Sequence, residues 1–151
     1  MYDFDTPICL NKNGDGMRTY YLFLIQGEIA NTLEEKEFEL YYMLKRIIEG
    51  KEETISYRIP CYLQLCKSWP KEVLNHYFTT KYPHSKKKYD YEIAGDSYLI
   101  RSSYLKIVTS KTIPGIFRLL NYMDPYIFVC DFENGDYFYL KAFMNHIKIK
   151  S

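Results

Sequence analysis

The sequence predicts an α+β fold in a single globular domain, residues 1–151, built around a mostly antiparallel sheet of about six to seven strands. Three observations support this prediction. Strand-like runs are joined by turn residues such as Gly95-Asp96 and Asn134-Gly135, which is typical of hairpins. One long helix is evident, over 32–49, with one or two short ones. No helix lies dependably between strands that would have to be parallel.

The first elements are a pair of strands, 4–10 and 17–26, around the turn NKNGDG. Asn and Gly in this turn supply the positive φ angles that a tight hairpin needs. The second run, MRTYYLFLIQ, mixes β-branched and aromatic residues. That composition favours a strand buried on both faces.

The long helix begins with a capping box formed by Thr32 and Glu35 and ends at Gly50, where a C-terminal glycine is expected. Glutamates crowd its first half, where the helix dipole favours negative charge. Its apolar stripe consists of Leu33, Leu40, Leu44 and Ile47, widened by Phe38, Tyr41 and Ile48.

The middle of the chain alternates between strand and helix. Residues 54–65 are predicted to form a strand interrupted at Pro60, because proline cannot donate to a ladder. A short helix is predicted over 68–77, with Ser68 as its cap and Pro70 in its first turn. A polar loop, 81–90, follows.

The C-terminal half contributes two hairpins separated by a helix. Runs 89–94 and 97–109 form a hairpin around Gly95-Asp96, and Thr112 caps a helix over 114–123. A third hairpin spans 126–143, and the tail HIKIK is strand-like.

The third hairpin is predicted to turn on Asn134-Gly135 alone, as a type I′ turn, with Glu133 opposite Asp136 and Cys130 opposite Tyr139. Both faces are then largely apolar, which places the hairpin in the middle of the sheet. One face carries Tyr126, Phe128, Cys130, Phe132, Tyr137, Tyr139 and Phe143, and the other carries Ile127, Val129, Phe138, Leu140 and Ala142.

Composition excludes several broad functions. The formal net charge is +1, so no overall electrostatic footprint for DNA or an anionic membrane is present. The N-terminus lacks a secretory signal, and the longest apolar run, 20–25, is far too short to span a bilayer. We therefore expect a cytoplasmic protein with reduced thiols. Its 17 tyrosines suit half-buried strands and protein interfaces, although an AT-rich genome also favours tyrosine codons.

No recognisable motif for catalysis, metal or cofactor binding occurs. Cys61 and Cys66 have no histidine pair at zinc-finger spacing, and in a strand they would point to opposite faces. Neither a GxSxG elbow nor a phosphate-binding glycine loop is present. A dispersed catalytic site using His76 or His146 is left as an alternative. We predict a protein that is not an enzyme and has no cofactor or metal.

Three charged groups are candidate partner-binding residues. One is the acidic start of the long helix, and another is the tip of the third hairpin, where same-face parity gathers three carboxylates. A lysine-rich loop with an aromatic neighbour is the third. The candidates are Glu34, Glu35, Glu37, Glu39, Asp131, Glu133, Asp136, Lys86, Lys87, Lys88 and Tyr89.

Together these features predict a non-enzymatic protein-binding module. In its size, compartment and lack of a chemical motif, the chain resembles the small cytoplasmic immunity proteins that bacteria hold against toxins. That resemblance implies stoichiometric inhibition by occlusion, with an acidic face presented to a basic toxin or nuclease domain. The alternative is a nucleic-acid-associated protein, perhaps phage-encoded, which would use the lysine loop to bind phosphates and stack bases.

Overall fold

The computed structural model describes residues 16–50, 55–81 and 90–150. The predicted strand 4–10 and most of the loop 81–90 lie outside these residues. In chain order the elements are β1 (Arg18–Ile25), α1 (Gly27–Thr32), α2 (Glu37–Glu49), α3 (Ile55–Leu65), β2 (Cys66–Lys67), α4 (Lys71–Lys81), β3 (Tyr91–Ile93), β4 (Asp96–Ile100), β5 (Leu105–Thr109), α5 (Ile116–Met123), β6 (Ile127–Asp131), β7 (Asp136–Tyr139) and α6 (Leu140–Lys150).

The seven strands form one sheet in the order β3-β4-β5-β1-β6-β7, with β2 pairing one end of β1. Every strand pair is antiparallel. The predicted α+β class with an antiparallel sheet is therefore confirmed. Among the described residues, no helix has both the length and the apolar character needed to cross a membrane.

β1 is the central strand, and its sequence explains why. Its side chains alternate between the two faces of the sheet, and from Tyr20 to Ile25 all six are buried. Burial of each Leu, Ile or Phe contributes about 1.5–3 kcal/mol. Both of its edges are paired, by β5 and by β6.

Helices cover both faces of the sheet and create two cores. On one face, α4, α5 and α6 pack against the sheet through residues such as Phe78, Phe117 and Met144. On the other face, α1, α2 and α3 pack through residues such as Ala30, Leu44 and Tyr62. The result is a three-layer arrangement whose middle layer is the sheet.

The predicted long helix, 32–49, is shorter in the structure: α2 covers Glu37–Glu49, and a separate short helix, α1, ends where the prediction begins. Thr32 ends α1, and its hydroxyl donates to the carbonyl of Glu28 at 2.7 Å, so it does not form the predicted capping box. Glu35 has a left-handed backbone with φ of 65°, which turns the chain before α2 begins. Gly50 does end α2, but in an extended conformation.

Residues 55–65 are a helix, α3, rather than a broken strand. Arg58, Tyr62 and Leu65 are buried at spacings of four and three, which is helical periodicity. Pro60 lies inside the helix on its exposed side, where its missing N–H removes one backbone hydrogen bond. The predicted helix over 68–77 is confirmed with shifted bounds, as α4.

The predicted strand 97–109 is interrupted, since β4 and β5 are separate strands joined by a short turn. The turn between β3 and β4 is Ala94-Gly95, one residue earlier than predicted, and both residues have positive φ. The prediction of a strand-like tail is also wrong, because residues 140–150 form α6.

The third hairpin is present with a different register. Asp131 pairs with Asp136 and Cys130 with Tyr137, so the turn has four residues, 132–135. Because the register differs from the predicted one by two residues, the division of its strands between the two faces survives. Its second strand, β7, ends the sheet order instead of lying in the middle.

Candidate functional site

An aromatic strip runs along the junction of α2 and β7. We define it as Phe38, Tyr41 and Tyr42 on α2 with Tyr137 on β7. Tyr41 and Tyr137 stack with ring centroids 4.9 Å apart. Phe38 lies 6.3 Å from Tyr42, nearly parallel to it, and 6.3 Å from Tyr137. The strip therefore links the helix to the edge of the sheet through ring contacts.

The outer part of the strip is exposed to solvent. Phe38 is 62% exposed and Tyr42 is 52% exposed, whereas Tyr41 is buried beside them. The pair is four residues apart and lies on the flank of α2 next to β7, beside the stripe that contains Leu40 and Leu44. The prediction that Phe38 widens the buried stripe is wrong. These two adjacent exposed aromatic side chains make this flank of α2 a candidate interaction surface.

Acidic residues surround the beginning of α2. Residues 34–39 contain four glutamates and one lysine. Glu34, Glu35 and Glu39 are exposed, and Glu37 is half-buried. Glu37 and Glu39 lie in the first turn of α2, where the partial positive charge of the helix end favours carboxylates.

Of the three acids predicted to gather at the hairpin tip as partner-binding residues, Asp131 is not accessible to a partner. Asp131 is fully buried and accepts hydrogen bonds from the backbone N–H of Asn134 at 3.1 Å and from its side-chain amide at 2.8 Å. It is therefore a structural residue of the turn. Asp136 is exposed and forms an ion pair with Arg18 at 3.2 Å, and Glu133 is half-buried.

Burial and nearby carboxylates raise the pKa of two tyrosines at this surface. Burial raises the pKa of Tyr139 to about 12, and the charge of Glu37 adds to the shift. Burial also raises the pKa of Tyr41, with smaller contributions from Cys130, Glu49, Asp131 and Asp136. At Tyr41 the charges of Asp131 and Asp136 therefore act together with that of Glu49 at the far end of α2, whereas Glu37 is the carboxylate that acts on Tyr139.

The other predicted candidates do not join this surface. Lys86, Lys87, Lys88 and Tyr89 lie outside the described residues. Cys61 and Cys66 lie on α3 and β2, and burial strongly raises the pKa of the Cys66 thiol. Within residues 16–50, 55–81 and 90–150, no three His, Cys, Asp or Glu side chains are grouped so as to hold a metal ion.

His76 and His146, the candidates for a dispersed catalytic site, lie on α4 and α6 and are exposed. These helices cover the face of the sheet opposite α2.

Comparison with known proteins adds no homologous site, since no family model matches the chain and no curated protein is significantly similar to it.

Proposed function

We propose that this protein is a binding module that inhibits a basic protein partner by covering its surface, in the manner of an immunity protein. The contact surface consists of the aromatic strip and the carboxylates beside it. The observation that carries the proposal is the exposed stack of Phe38 on Tyr42, next to three exposed glutamates.

The chemistry of this surface suits arginine on the partner. A guanidinium can lie flat on an exposed aromatic ring, and it can also form paired hydrogen bonds with a carboxylate. Phe38 and Tyr42 offer the rings, and Glu39 on the same helix offers a carboxylate within one turn. Aromatic anchors supply most of the binding energy in such contacts, while the surrounding charges mainly accelerate association.

The alternative of nucleic-acid binding through Lys86, Lys87, Lys88 and Tyr89 gains no support, because these residues are outside the described part of the chain. The described surface is instead acidic around its exposed aromatic pair. A polyanion would be repelled by this surface, whereas a basic protein would be attracted to it.

A site-specific crosslink identifies the partner. A photoreactive phenylalanine analogue at Tyr42 should capture one protein from extracts of the source cells, and the same analogue at Tyr122 should not. Tyr122 is a suitable control because it is 84% exposed and lies on α5, on the opposite face of the sheet. Equal capture at both positions, or none at Tyr42, would refute the proposal.

Binding of the purified partner then tests the two parts of the surface separately. Phe38→Ala and Tyr42→Ala should each weaken affinity by about 30-fold or more, mainly through faster dissociation, because aromatic anchors contribute about 2 kcal/mol or more. Glu34→Lys with Glu39→Lys should slow association at low salt and have little effect at high salt. Tyr122→Ala should change neither rate. If Phe38→Ala behaved like Tyr122→Ala, the strip would not be the contact surface.

A further inference from the structure

A cavity of about 380 Å³ lies between α2 and α3, on the flank of α2 that faces away from β7. Pockets that bind small organic molecules usually have volumes of roughly 300–1,000 Å³. The cavity shares no residue with the aromatic strip. It is thus a second feature of α2 that the proposed function does not use.

The cavity wall is mostly apolar, with charge at two places. Met43, Ile47 and Leu65 contribute hydrocarbon, and Tyr57 contributes an exposed ring. Among the described lining residues, the charged ones are Arg46, Glu49 and Arg58, which leaves one positive charge in excess.

The two arginines of the cavity differ in how firmly their side chains are held in place. Arg58 is only 5% exposed, and its Nη1 donates to the carbonyl of Ile47 at 3.0 Å, so its guanidinium is fixed at the end of α2. Arg46 is exposed at the rim and forms no ion pair with any described residue. A ligand anion could therefore pair with Arg46 without displacing any ion pair seen in residues 16–50, 55–81 and 90–150, and Arg58 would add favourable charge from the wall.

We propose that this cavity binds a small organic anion with an aromatic or other apolar body. The body would occupy the space lined by Met43, Ile47 and Leu65, and the anionic group would pair with Arg46. Apolar lining with a few placed polar groups is the usual composition of such sites. This inference does not depend on the proposed partner surface.

Two dyes that share a body test the class of ligand. Anilinonaphthalene sulfonate carries an anion, and N-phenylnaphthylamine has the same rings without it. The sulfonate should bind the folded protein at one saturable site, and about tenfold more tightly than the neutral dye, as expected for one charge-assisted hydrogen bond. Equal affinities, or no saturable binding, would overturn the proposal.

Two arginine variants test whether the dye binds in this cavity. Arg46→Gln should remove the preference for the sulfonate and leave the affinity of the neutral dye unchanged. Arg118→Gln is the matched control, because Arg118 is exposed on α5, on the other face of the sheet. Arg58 is left intact, since it supports the end of α2.

Cys61 lines the cavity and is partly exposed, so it reports occupancy directly. The sulfonate should slow alkylation of Cys61, which peptide mass spectrometry measures. The rate should fall in proportion to the fraction of sites left free, as calculated from the measured dissociation constant of the dye. An unprotected Cys61, or an Arg46→Gln variant that binds like Arg118→Gln, would show that the dye binds elsewhere and would exclude this cavity as the site.

Discussion

Replacement of Asp131 by alanine tests whether this carboxylate organises the β6–β7 turn. The change removes two hydrogen bonds from Asn134, one from the backbone and one from the side chain. A hydrogen bond to a charged group contributes about 1.5–3 kcal/mol. Since Asn134 is exposed, water can replace part of what is lost. We therefore expect a loss of about 2–4 kcal/mol in the free energy of unfolding.

Asp136 is the matched control, because it lies directly opposite Asp131 in the strand register. Its ion pair with Arg18 joins side chains that are about half exposed, at 49% and 52%. Such pairs contribute about 0–1 kcal/mol, so Asp136→Ala should have little effect on stability.

Urea denaturation of both variants, followed through the fluorescence of Trp69, measures the difference. Trp69 is the one tryptophan of the sequence and is buried, with its indole N–H donating to Leu22 at 3.0 Å. An unchanged m-value would confirm that the unfolding transition is comparable. If the two aspartate variants agreed within about 0.5 kcal/mol, the role given to Asp131 would be refuted.

Three further outcomes follow from packing and burial. The Tyr139 hydroxyl is buried without a hydrogen-bond partner among the described residues, so Tyr139→Phe should raise the free energy of unfolding at neutral pH by about 1 kcal/mol. Its pKa of about 12 exceeds the ordinary value of about 10, so wild-type stability should fall as pH rises from 10 towards 12, and less so in the variant. Gly50→Ala should cost about 1–3 kcal/mol in thermal or urea unfolding, because its Cβ would overlap Arg58 Cδ, whereas Gly115→Ala, with open space around it, should be neutral. The Cys66 and Cys130 thiols are buried and burial raises the pKa of each, so neither should react with Ellman's reagent until the protein unfolds.

The fold class was predictable because the hairpin turns have distinct chemistry. Gly95 and Gly135 both adopt positive φ, and each marks a tight connection between antiparallel strands. The faces of the last hairpin were also predictable, since a register difference of two residues leaves the alternation intact. By contrast, nothing in the sequence marks Glu35 as left-handed, so the late start of α2 at Glu37 could not be anticipated.

The error at α3 has a local cause. Residues 54–65 are rich in aromatic and β-branched side chains and contain Pro60, and both features favour an edge strand. The deciding signal was the spacing of Arg58, Tyr62 and Leu65, in which one buried position is an arginine. A buried arginine is rare enough that sequence patterns treat it as surface.

The candidate surface was predictable in part. The glutamates at the start of α2 were identified from the sequence, but the exposed pair Phe38 and Tyr42 was not. Aromatic residues at helical spacing are usually core, and their exposure depends on how α2 sits against β7. Only the tertiary contact with Tyr137 shows that this flank faces the sheet edge and not the sheet centre.

The position of β1 has a consequence for biosynthesis. Its two long partners, β5 and β6, follow it by more than half the length of the chain. During translation its six-residue apolar segment is made early, with two unsatisfied backbone edges, and must wait for those partners to leave the ribosome. Truncated or stalled products that end before residue 105 should therefore expose β1 as an unpaired, aggregation-prone strand. We expect chaperones to bind such products often.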